Sequence, residues 1–347
     1  MILSDEKTDK KPILIKESLV KSKNRFSLPN KYKMKSFPVF CDFWVPGFEK
    51  FHPSKMIQCL CPVETDMEEC FEAFCERLDL SLQTKKYLPV LRIGDGELEF
   101  MFGTHWYNSC HNPLNNFLNF LRFLRARIRF GRGLNAFTVG VYSSGRYSAE
   151  EVKEFRPLYM KELMSVINNG IVAFHLFVMK VPFSEPYFPL LDKFLCDCGT
   201  NITPQNVLPG YFVYSFFASP RAKKVFEGKR IAVVHSADGA RRAAITESII
   251  NQLGVSNVHW VEISVDRSLT DTIDENEFED CDSILVGAGI GKVNIFAQLH
   301  NFCGPVIDLG YVFESWHVHE NRFKRVYCAS DNDWQSRGVE NVWEAGI

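Results

Sequence analysis

Arg92-Ile-Gly-Asp-Gly-Glu97 is the stretch of this sequence best suited to chemistry. Residues 87–93 form an apolar run that predicts a short strand, and the two glycines then let the chain turn sharply around Asp95. Asp95 and Glu97 are two positions apart, so an extended or turning backbone would aim both carboxylates at one hard cation. Mg²⁺ or Mn²⁺ suits such a pair, because each binds through one or two carboxylates and completes its shell with phosphate oxygens and water. The ion would neutralise charge developing on a departing nucleoside diphosphate. Arg92 would add a charge-assisted contact to the same phosphates, while Gly94 and Gly96 would let the backbone approach them. A solvated Asp-Gly turn at a strand end is the plain alternative.

Three later turns also carry candidates. Val286-Gly-Ala-Gly-Ile-Gly-Lys292 falls between an apolar run and a helical pattern. There Gly287, Gly289 and Lys292 would meet a phosphate at a helix start. Val286 and Val293 stand where a P-loop needs Gly and Ser or Thr, and Lys292 stands where a dinucleotide fingerprint needs its last glycine. His235-Ser-Ala-Asp-Gly-Ala-Arg241-Arg242 places Arg241 near a helix start, where a cation opposes the helix dipole unless an anion is present. Asp308-Leu-Gly310-Tyr311 ends the last strand pattern and offers Asp308 and Tyr311 to a base or sugar, with Glu314 close behind.

Positioning these turns requires strands that alternate with helices. Thr65-Asp-Met-Glu68 is a capping box, followed by Phe71, Phe74, Cys75 and Leu78 at helical spacing. Helices are expected over 114–130 and over 148–168, the second bent by Pro157. Strands are expected over 136–142 and 171–178. From residue 230 onward, strand, helix, strand, strand, helix and strand follow with short turns, and residues 182–220 read as a long connection or lid. The fold class expected is α/β, a Rossmann-like doubly wound, mostly parallel sheet with flanking helices. Ligands of such sheets bind beyond the carboxyl ends of the strands.

Composition narrows the function. Of 347 residues, 24% are charged and the formal net charge is −2, so the chain has no overall bias toward nucleic acid. Residues 1–36 carry ten Lys/Arg against four acids and form a basic N-terminal arm of +6. The arm suits peripheral contact with an anionic membrane and is expected to be dispensable for chemistry. Residues 37–347 are expected to form one domain. No apolar run reaches the length of a membrane span. Eleven scattered cysteines without zinc spacing fit a reducing, cytoplasmic setting.

Together the motifs resemble glycosyltransferases of the GT-D fold, whose defining element is a strand ending in Asp-x-Glu. Arg92-Ile-Gly-Asp-Gly-Glu97 is similar to that family's Arg-Phe-Gly-Asp-Gly-Glu. Ile231-Ala-Val-Val-His-Ser with Arg241, the 284–292 turn, and Pro305-Val-Ile-Asp-Leu-Gly310 resemble later family segments in the same order. The resemblance spans residues 85–320. It implies metal-dependent transfer from a nucleotide-sugar, a UDP-sugar in most members, to a glycan or glycoprotein acceptor. It further implies metal binding by Asp95 and Glu97, with Glu97 as a candidate base. Tyr311 stands where the family has His, and His235 where it commonly has Glu. Two other readings stay open: another Rossmann-like transferase, such as a methyltransferase using Gly287 and Gly289, and a non-catalytic sugar-nucleotide or glycan-binding module.

Overall fold

A computed structural model describes residues 67–102, 147, 149–174, 194, 206–324, 328 and 333. The basic arm, the 114–130 helix and the 136–142 strand lie outside the described residues. Helix α1 spans Met67–Thr84 and buries Phe71, Phe74, Cys75, Leu78 and Leu82, the stripe its sequence spacing predicts. Strand β1 (Leu88–Ile93) follows, buried at all six positions. Such a strand is covered on both faces, as parallel sheets require.

Helix α2 (Asp95–Phe102) begins directly after Gly94. This corrects the expected extended turn: the Asp-Gly-Glu segment is the first turn of a helix. Helix α3 (Ala149–Asn169) contains Pro157 and leads into β2 (Ile171–Phe174). The second half of the expected lid is also corrected. It contains strand β3 (Val207–Pro209) and helix α4 (Tyr211–Ala218), whose residues 212–217 are all buried. Helix α5 (Pro220–Phe226) then starts with Pro at its first position, capped by Ser219, whose Oγ accepts the Arg221 amide.

The last part alternates as expected: β4 (Arg230–His235), α6 (Gly239–Leu253), β5 (Asn257–Glu262), β6 (Ser283–Gly287), α7 (Lys292–Gln298), β7 (Pro305–Asp308) and α8 (Val312–His317). The seven strands form one sheet in the order β3-β2-β1-β7-β6-β4-β5, and every pairing is parallel. Two apolar layers cover it. Phe71, Phe212, Phe216, Phe226, Ile245 and Phe313 belong to one; Phe100, Tyr159, Leu163, Ile295 and Phe296 belong to the other. This is a doubly wound α/β fold.

The order also contains a topological switch point. The chain leaves β6 through α7 toward β7, and leaves β4 through α6 toward β5, which lies on the opposite side. Adjacent strands whose connections part in this way open a crevice at their carboxyl ends. Here the switch in direction falls between β4 and β6, whose last residues His235 and Gly287 are register partners.

Candidate functional site at the carboxyl edge of the sheet

The carboxyl ends of β1, β7 and β6 converge on a buried group of charges. Lys292, the first residue of α7, places its Nζ 2.8 Å from Glu97 Oε1 and 2.8 Å from Asp308 Oδ2. Asp308 Oδ2 also accepts the Arg92 amide at 3.2 Å. Lys292, Glu97, Asp308 and Arg92 are all at least nine-tenths buried. Burial alone would lower the Lys292 pKa, but Asp308 and Glu97 outweigh it and the net shift is upward. Lys292 is therefore a charged ammonium held between two carboxylates.

Glu97 has a second task that its sequence position explains. It is the third residue of α2, and its Oε2 accepts the Gly94 amide at 2.7 Å. This is one half of a capping box, with glycine where the hydroxyl residue would stand. Each Glu97 oxygen thus has one partner within the chain. Residues two apart on a helix do not share a face, whereas the expectation for Asp95 and Glu97 was an extended or turning backbone. Among the described residues no group of three or more His, Cys, Asp and Glu side chains could hold a metal.

Arg92 is positioned as an internal strut. Its Nη1 donates to Leu309 O at 2.9 Å, and its guanidinium lies 4.2 Å from the ring centre of Tyr214 on α4. Gly310, at φ +48°, makes room for it, because a Cβ there would collide with the Arg92 guanidinium. The glycines of the 286–292 turn are likewise occupied from within. A Cβ on Gly287 would meet the rings of His235 and Phe313 (2.7 Å to Phe313 Cδ2). Gly289 adopts φ +53°, so a valine there would be strained with or without a phosphate. Ser268, from the β5–β6 connection, donates to Ala288 O at 2.9 Å and covers the turn.

The next turn, between β4 and α6, is built differently. Asp238 takes the N-cap position of α6 but makes no side-chain capping bond. Arg241 pairs with Glu314 of α8, and Arg242 lies 5.1 Å over the Trp260 ring. Glu314 is the anion that the cation near the helix start called for. Both members of the pair are partly exposed, unlike the charges around Lys292. His235 accepts the Ala237 amide on Nδ1 at 2.8 Å and is buried. Burial, then the nearby Arg241, lowers its pKa to about 4. The folded chain therefore resists a proton that the unfolded chain takes up near 6.5. Stability is full above that value and falls as pH drops toward about 4, by on the order of 3 kcal/mol at most. Chemical denaturation between these pH values should show a shallower slope for His235→Gln.

Tyr311 is set apart from the group around Lys292: its hydroxyl donates to Asn321 O at 3.3 Å. Gly96 lies in the first turn of α2 by its backbone. Two residues escaped the sequence reading. Tyr214 lies in an aromatic run that had no apparent partner. Tyr159 on α3 is buried, and its hydroxyl has no hydrogen-bond partner in the structure. Its pKa is raised first by burial and then by Glu97 and Asp308, which places the phenol within electrostatic reach of both carboxylates. It falls within the helix expected over 148–168, and no sequence pattern assigned it a role.

Among the described residues no helix is long and apolar enough to cross a membrane. No protein-family model matches this chain, and no curated protein matches it. One solved structure is similar to it, described as showing that the highly conserved domain of unknown function 1792 has a distinct glycosyltransferase fold. That likeness is 15% identity over 78% of this chain and 87% of that chain, at a TM-score of 0.35. A likeness of that size carries no argument, so the α/β assignment rests on the strand order and the two covered faces.

Proposed function

We propose that this chain transfers a glycosyl group from a nucleoside-diphosphate sugar, a UDP-sugar by the resemblance of its motifs, to a hydroxyl of a glycan or glycoprotein. The observation that carries the reading is the convergence of the Asp-Gly-Glu segment, Lys292 and Asp308 at the carboxyl edge, beside the topological switch between β4 and β6. In the proposed reaction the acceptor oxygen bonds to the anomeric carbon and the bond to the diphosphate breaks. The diphosphate leaves with the electron pair, and the acceptor proton passes to a carboxylate. Asp95, the first residue of α2, supplies that carboxylate. Glu97 is committed to Lys292 and Gly94.

The diphosphate is proposed to lie at the β4–α6 turn. There the uncapped start of a fifteen-residue helix and the partly exposed Arg241 favour an anion. A divalent ion shared by Asp95 and Glu97 would need Glu97 oxygens that already accept from Lys292 and Gly94. The described donor set fits an ammonium, and no step is routed through a metal.

Arg241→Ala should weaken UDP binding by about 1.5–3 kcal/mol, the worth of a hydrogen bond to a charged group. Glu314→Gln should not weaken it, because it frees Arg241 for the ligand. Calorimetric titration of UDP into the three proteins checks both, and equal affinities in all three would remove Arg241 from the donor site. A rise in melting temperature with S-adenosylmethionine but not with UDP would overturn the glycosyl-transfer reading itself.

A further inference from the structure

Lys292 fills the gap between two carboxylates, the kind of place a divalent ion occupies in a metal-assisted diphosphate site. Glu97 Oε1 and Asp308 Oδ2 are each 2.8 Å from its Nζ. The remaining Glu97 oxygen is held by the Gly94 amide, and Asp308 Oδ2 is shared with the Arg92 amide. Arg92 and Lys292 balance Glu97 and Asp308, so these four side chains together carry no net charge. A divalent ion added to these four would leave two positive charges uncompensated among residues at least nine-tenths buried, where unpaired charge is heavily penalised. The geometry has a local cause as well. Lys292 begins α7, Glu97 closes the first turn of α2, and Asp308 ends β7, so one ammonium ties together the turns that follow three adjacent strands.

We infer that Lys292 is the resident cation of this site, and that Glu97 is a positioning residue that fixes the Asp-Gly-Glu segment against β7 rather than ligating a divalent ion. The inference deepens the glycosyl-transfer reading, since it assigns different work to the two carboxylates of one motif. Its own test does not depend on transfer being observed.

Mn²⁺ binding to the full chain, followed by electron paramagnetic resonance, decides the matter. Wild type is expected either to bind no Mn²⁺ or to bind it with an affinity that Glu97→Gln changes by less than about twofold. Lys292→Met leaves two buried carboxylates without their cation, and is expected to gain Mn²⁺ binding at least roughly tenfold tighter than wild type. A rise in its melting temperature with Mn²⁺ should accompany the gain. Loss of roughly tenfold or more of Mn²⁺ affinity in Glu97→Gln, with Lys292 intact, would overturn the inference, and so would a folded Lys292→Met that gains nothing. If Lys292→Met does not fold, Glu97→Gln alone decides. UDP binding in the presence of EDTA separates the two levels: absence of UDP binding under all conditions counts against the nucleotide-sugar reading and leaves the Mn²⁺ result standing.

Discussion

Lys292→Met is expected to destabilise the chain by about 3–5 kcal/mol, measured as the change in unfolding free energy in urea. Methionine keeps most of the volume of the lysine stem but takes away the charge between Glu97 and Asp308, which are 2.8 Å from Nζ on either side. Both carboxylates are at least nine-tenths buried. Neither can turn to water without moving the start of α2 or the end of β7, so the loss is that of an uncompensated buried charge and not that of a surface ion pair. Such a value is a large part of the 5–15 kcal/mol that holds an ordinary domain folded. A cost under about 1 kcal/mol would place Lys292 among exposed pairs and contradict its burial. Combining Lys292→Met with Glu97→Gln should cost less than Lys292→Met alone, because Arg92 and Asp308 then remain a balanced pair and the penalty comes from unpaired charge.

Phe216→Ala carries an effect of similar size for a different reason. Phe216 is fully buried on α4, with ring centres of Phe74, Phe217 and Phe226 at 5.7, 5.1 and 6.1 Å, all in edge-on arrangements. Removing the ring loses its transfer free energy and leaves a cavity between α1, α4 and α5, for an expected cost of about 3–5 kcal/mol. Phe216→Leu should recover more than half of that, since it refills most of the volume. Equal costs for Ala and Leu would mean that ring geometry, not volume, holds these helices together. The same helix places Tyr214 under Arg92, so loosening α4 should also loosen the strut behind the charged group.

The legible part of this fold was its periodicity. Six consecutive buried positions in β1, the alternation from β4 onward and the stripe of α1 can all be read from apolar spacing, because burial on one face or two imposes period 3.6 or an unbroken run. The 182–220 stretch misled because its prolines and glycines break the pattern, whereas the Val207–Pro209 strand is three residues long and lies at the sheet edge, where proline is tolerated. Helix α4 is apolar all round, so it shows no face to recognise.

The charged group was legible in its members and not in its arrangement. Arg92, Glu97, Lys292 and Asp308 all stand out as polar residues at strand ends, yet residues 92 and 308 are joined only by the pairing of β1 with β7. Asp95 and Glu97 were expected on an extended or turning backbone, and the structure makes them the first and third residues of a helix. Gly94-Asp-Gly-Glu97 also has the glutamate spacing of a helix start, and that signal carried the geometry. Gly287 packs against the rings of His235 and Phe313 and Gly289 adopts a left-handed backbone, neither of which shows in the sequence pattern.

Asp95 now bears the chemical part of the proposal, and release of UDP from a panel of UDP-sugars, compared between wild type and Asp95→Ala, tests it most directly. Wild type should release UDP from at least one sugar and faster when the right acceptor is present. Asp95→Ala should lose at least about a hundredfold of that rate, in line with removal of a positioned proton acceptor, while unfolding at the wild-type midpoint. Release at the wild-type rate by Asp95→Ala, or no release from any donor by the wild-type chain, would contradict the account.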